Sequence, residues 1–151
     1  MFEHIVAAID DDTIRRGRVI DATREIASAL KSTVLVAHVR ELERPGPTTG
    51  RPTALVSSGT TPAPIMLEDA ALARALVDEA VRTLEKDGVE ATGVVREGGG
   101  QTAKELLELA EESRADLIVV GDRGVHVTDL LLGSVAHRIV HGAPCPVLLI
   151  R

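Results

Sequence analysis

Short apolar runs punctuate the chain at residues 5–9 (Ile-Val-Ala-Ala-Ile), 34–37 (Val-Leu-Val-Ala), 94–95 (Val-Val), 117–120 (Leu-Ile-Val-Val) and 147–150 (Val-Leu-Leu-Ile). Each is nearly continuous rather than alternating and most are rich in β-branched residues, the pattern of strands buried on both faces of a parallel sheet. The third is the shortest, and Val89, Ala91 and Gly93 extend it backwards. Between the runs, apolar residues recur near three-and-four spacing. Ile14, Val19, Ala22, Ile26 and Leu30 form one stripe, and Ala73, Leu76, Val77, Ala80 and Leu84 a second. Ala103, Leu106, Leu107 and Ala110 form a third, and Val135, Ile139 and Val140 a shorter fourth. Such stripes predict helices with one face on a core. Strand and helix alternating to the end predict a Rossmann-like three-layer α/β sandwich with right-handed crossovers, its sheet closed by the last run.

One connection breaks the rhythm. Residues 40–64 hold five of the seven prolines together with Gly46, Gly50 and Gly59. Proline opposes helix and glycine loosens the chain, so this stretch reads as a flexible loop within a single domain spanning 1–151.

Composition narrows the function. Phe2 is the one aromatic residue, which argues against platforms that stack nucleic-acid bases. A net charge of −6 supplies no cationic excess to displace phosphate counterions, so nucleic acid is not an expected partner. No apolar run is long enough to span a bilayer, and Glu3 stands where a secretory signal would carry a base. The expected setting is therefore the cytoplasm, away from membranes. Cys145 is alone, which removes an intrachain disulfide and a Cys-rich zinc site.

Ligands of open α/β sheets sit beyond the carboxyl ends of the strands, so the residues there carry the chemistry. Asp10-Asp11-Asp12-Thr13 after the first run lacks the glycines of a dinucleotide fingerprint. Asp12 reads as a helix cap, while Asp10 at the strand end is placed to reach a ligand. Gly98-Gly99-Gly100-Gln101-Thr102 lacks the lysine of a P-loop and reads as a tight turn with Thr102 as cap. The fourth run leads into Gly121-Asp122-Arg123-Gly124, eight further residues, then Gly133-Ser134-Val135-Ala136. Glycines that expose backbone amides, a helix opening at Gly133-Ser134 and the cation Arg123 together suit a polyphosphate; glycines that merely end a strand and start a helix are the plain alternative. His137 and His141, four apart, read as a solvated helix face, Cys145 as inert packing, and His38 as packing at a strand end.

With Asp10 ending the first run, His38-Val39 ending the second and the closing 143–150 (Ala-Pro-Cys-Pro-Val-Leu-Leu-Ile), this segment resembles the universal stress protein family over the whole chain. The resemblance implies a five-stranded parallel sheet of order 3-2-1-4-5 and a homodimer paired through Val147 to Ile150. An apolar edge strand wants such cover. From the family's ATP-binding branch it implies that Ala8, Ile9, Asp10 and Val39 hold adenosine. Val120, Gly121, Arg123 and Gly124 would flank the phosphates on one side, and Gly133, Ser134, Val135 and Ala136 on the other, with magnesium accompanying ATP or another adenine nucleotide. The chain departs from the family pattern in its eight-residue spacer, one shorter than usual, and at Asp12, Asp122 and Ala136. With no positioned base or nucleophile beside the phosphates, the implied role is a stress-response regulator with at most slow hydrolysis rather than an enzyme. A nucleotide-independent dimerisation or interaction module of the same fold is the alternative.

Overall fold

The computed structural model describes residues 1–41, 69–123 and 133–151. Its elements run β1(His4–Ile9), α1(Thr13–Leu30), β2(Thr33–Arg40), α2(Ala70–Lys86), β3(Ala91–Glu97), α3(Thr102–Glu112), β4(Leu117–Gly121), α4(Ser134–Gly142) and β5(Val147–Ile150). All strand pairs are parallel, in the order β3-β2-β1-β4-β5. This is the expected Rossmann-like sandwich. The order reverses between β1 and β4, where Ala8 is in register with Ala37 on one side and Val120 on the other.

Because successive strand residues face opposite ways, each central strand feeds two cores. Ile5, Ala7 and Ile9 pack with Val36, Val119 and the buried faces of α1 and α2. Val6, Ala8, Ala37, Val39 and Val120 pack with α3 and with Ile139 of α4. The two helix pairs therefore lie on opposite faces of the sheet. No helix among the described residues is long and apolar enough to cross a membrane.

Three details depart from the sequence reading. The face of α1 is rotated: Val19, Ile20, Thr23 and Ala27 are buried, whereas Ile14 and Leu30 are 70% and 51% exposed. Thr23 tolerates burial because its hydroxyl donates to the Val19 carbonyl one turn back, at 2.7 Å. Thr102 is not a cap; Gln101 holds that position without a side-chain bond, and the Thr102 hydroxyl donates to the Glu41 carboxylate. Arg40, expected to open the long loop, is the last residue of β2, buried and paired with Glu97 at 3.1 Å. Residues 42–64 of that loop lie outside the described residues.

Candidate functional site

At the carboxyl edge of the sheet, the first group of charged side chains stands in the turn from β1 to α1. Asp12 is the cap of α1: its Oδ1 accepts from the Arg15 amide at 2.8 Å. That backbone bond is the main reason its carboxyl group titrates below the usual aspartate value, against some opposition from desolvation. Asp10 is committed on both oxygens. Oδ1 accepts from the Asp12 amide at 3.0 Å, and Oδ2 takes Nε of Arg15 at 2.5 Å. Burial opposes the charge on Arg15, but the hydrogen bond and charge of Asp10 outweigh it and raise its pKa. The Arg15 stem passes over Gly121. A Cβ built there would meet Cγ of Arg15 at 2.4 Å, Cδ at 2.7 Å and Val19 Cγ2 at 3.3 Å. Gly121 thus gives α1 a close approach to β4, a packing reason that the sequence alone did not reveal.

The second junction leads from β4 to α4. The ladder extends one residue past β4, with the Asp122 amide donating to the Ile150 carbonyl at 2.8 Å. The Asp122 side chain is 4% exposed; Oδ1 accepts from the Gly133 amide at 2.9 Å and Oδ2 lies 3.9 Å from Nε of Arg151. Gly124 and the spacer 125–132 lie outside the described residues. Gly133 is the cap residue of α4, at φ −55° and ψ 152°, an extended conformation open to any residue. A Cβ there would make only ordinary contacts, the nearest at 3.4 Å to Asp122 Oδ1. Lacking a side chain, Gly133 folds nothing back over the helix, and α4 has no side-chain cap bond. The amides of Ser134, Val135 and Ala136 open the helix with no acceptor among the described residues.

The positions expected to line adenosine divide by face. Ala8, Val39 and Val120 all face the α3 and α4 side and are buried there. Ile9 faces the opposite core, and its carbonyl accepts from Nδ1–H of His38 at 3.0 Å, which fixes that ring nitrogen as the donor. Ala136 is buried at 2% exposure, backbone included, whereas Ser134 is exposed and Val135 half-buried. One neighbour was missed. The turn after β3 folds over Val39: the Gly98 amide donates to the Arg40 carbonyl, and a Cβ on Gly98 would meet Val39 Cγ1 at 2.6 Å. Gly99 and Gly100 follow at φ +51° and +85°, the left-handed region that the triple glycine signalled.

Among the described residues the donor set does not suit a protein-held magnesium ion. Among the described residues no three His, Cys, Asp or Glu side chains converge as a metal group. Asp10 and Asp122 already serve Arg15, Gly133 and Arg151. The rings of His137 and His141 lie 4.4 Å apart on an exposed face of α4, without a third ligand among the described residues. Burial, with the charge of Asp116, pushes the Cys145 thiol up, toward its protonated form.

The model of the Universal stress protein family matches residues 1–151 of this chain. Universal stress protein A homolog 1 of Coxiella burnetii is 35% identical over 152 residues, spanning 97% of this chain and 94% of that protein. The solved universal stress protein from Archaeoglobus fulgidus is similar with a TM-score of 0.71 and 26% identity, covering 100% of this chain and 95% of that one. A structure of the universal stress protein from Archaeoglobus fulgidus in complex with dAMP has a TM-score of 0.68 and 25% identity, covering 100% and 98%.

Proposed function

The chain belongs to the universal stress protein family, and from that premise we propose that it binds an adenine nucleotide at the carboxyl edge of the sheet and acts as a homodimeric, nucleotide-responsive stress regulator. The observation that carries this reading is the first turn of α4, whose amides have no acceptor among the described residues. A glycine cap without a side-chain bond and the positive end of a helix dipole meet there beside the exposed Ser134, an arrangement suited to a phosphate. The dAMP complex of the Archaeoglobus fulgidus relative supports an adenine nucleotide as the ligand. In this reading the adenosine lies over Ala8, Asp10 and Val39, with the Gly98 turn beside it, and the phosphates reach Arg123, Gly133 and Ser134. ATP is the proposed form, with any magnesium carried on its phosphates rather than caged by the chain's carboxylates. The ligand is held rather than turned over. The half-buried apolar edge strand β5 supports pairing of two copies through Val147–Ile150.

A second reading, an interaction module that needs no nucleotide, is favoured by the charges that the chain itself brings to the site. Asp10 is already paired with Arg15, and Asp122 already takes the Gly133 amide. Thermal unfolding with AMP, ADP and ATP, with and without magnesium, separates the two. A dissociation constant of about 10 μM at about 1 mM ligand adds roughly 2.7 kcal/mol of stability. A clear upward shift supports the nucleotide site; no shift with any of the three supports the module.

A further inference from the structure

On the α1 side of the sheet, a cleft of about 220 Å³ opens between the first turns of α1 and the residues that follow β4 and β5. Four of its lining residues are arginines drawn from three parts of the chain: Arg15 and Arg18 on α1, Arg123 after β4 and Arg151 after β5. In a molecule with 17 basic and 23 acidic residues, four arginines against Asp12 and Asp122 reverse the prevailing sign. Asp12 Oδ1 accepts from the Arg15 amide and Asp122 Oδ1 from the Gly133 amide, while their second oxygens lie 4.0 Å from Nη1 of Arg15 and 3.9 Å from Nε of Arg151, and the Asp122 side chain is 4% exposed. The Arg151 side chain, by contrast, is 68% exposed. Arg15 is fixed by Asp10, while Arg18 and Arg123 are exposed and have no ion pair among the described residues. Planar guanidinium groups converging from several directions match the oxygens of a phosphoryl group, which each can grip with two bonds. The volume falls below the roughly 300–1,000 Å³ of pockets that enclose drug-sized ligands, so it suits a small anion rather than a whole nucleoside.

We propose that this cleft is a phosphoryl-anion site that borders the first turn of α4, its lining residues Asp122 and Arg123 both lying beside Gly133. Arg123 joins the two, since its Cβ lies 3.5 Å from where a side chain on Gly133 would begin. The anion is either free phosphate or diphosphate, or the terminal phosphates of a nucleotide seated at α4. The site itself does not depend on the nucleotide reading.

Calorimetric titration of inorganic diphosphate into the full chain tests it, using wild type, Arg18→Gln, Arg18→Lys and Arg151→Gln, all changes at exposed side chains. Saturable binding is expected in wild type. Arg18→Gln should weaken it by about fivefold or more and Arg18→Lys by less, because lysine keeps the charge but loses the fork. Saturating AMP and ATP then identify the source. Diphosphate binding unchanged by either marks a free anion. Displacement by ATP but not by AMP, with the ATP-over-AMP preference reduced in Arg18→Gln, marks the tail of a nucleotide. Absence of saturable binding at up to about 5 mM diphosphate would overturn the proposal, as would equal binding by wild type and Arg18→Gln. If AMP fails to bind while diphosphate binding still depends on Arg18, the nucleotide reading falls and this site stands.

Discussion

β1 and β4 lie side by side at the centre of the sheet, and each runs on into a helix, but the two helix starts are finished differently. The start of α1 is closed by its own residues: Asp12 caps the helix, Asp10 is locked to Arg15, and the Arg15 stem fills the space that Gly121 leaves open. The start of α4 has a cap with no side chain, and its first-turn amides have no acceptor among the described residues. Two glycines twelve positions apart therefore have opposite reasons. Gly121 is required by the protein's own packing. At Gly133 neither the backbone conformation nor a neighbouring atom among the described residues demands glycine, and in the proposed reading its small size serves the phosphate.

This contrast can be broken most forcefully at the two glycines. Gly121→Ala drives a methyl group into the Arg15 stem and is expected to destabilise by about 1–3 kcal/mol in urea unfolding. Gly133→Ala, with ordinary contacts around it, is expected to stay within about 0.5 kcal/mol of wild type. Equal losses at both positions would dissolve the distinction. A finer probe is Gly133→Asn, which supplies the missing cap, its side-chain oxygen accepting from Val135 or Ala136. Stability should rise by a few tenths of a kcal/mol while nucleotide affinity falls about tenfold, because the same amides cannot serve both. Isothermal titration with AMP, paired with a melting curve, reads both quantities.

The sheet and its layers were legible because every strand is an apolar run and the parallel pattern needs no long-range information. The end of β2 was harder to place. His38 packs at the strand end as expected, against the Ile9 carbonyl, but Arg40 looks like a loop residue and is instead buried and paired with Glu97. The rotated face of α1 was hidden by Thr23, whose burial depends on a bond to its own helix. At the candidate site, the cap role of Asp12 and the glycine turn at 98–100 could be read from local chemistry. The commitment of Asp10 to Arg15 could not. A pair five residues apart looks like any other charge pattern until Gly121, on a different strand, leaves room for the stem.

The smallest expected effect concerns acid. The carboxyl group of Asp12 titrates below its ordinary value of 3.8, mainly through the Arg15 amide bond. A depressed folded-state pKa contributes stability that is present above the unfolded value and is lost as pH falls through the folded one. Melting temperatures of wild type and Asp12→Asn should therefore run parallel from neutral pH to about pH 5 and converge below about pH 4, because asparagine still caps the helix but does not titrate. A constant difference across that range would remove Asp12 from the acid response.

The central claim, that the first turn of α4 is left open for a phosphate, is tested most directly by following backbone amide resonances during a titration with AMP. The account predicts saturable shifts at Ser134, Val135 and Ala136, accompanied by shifts at Ala8 and Val39 with the same midpoint, while the Arg15 amide bound to Asp12 stays in place. Saturation that leaves residues 134–136 unmoved, or no saturable shift anywhere at millimolar AMP, would contradict it.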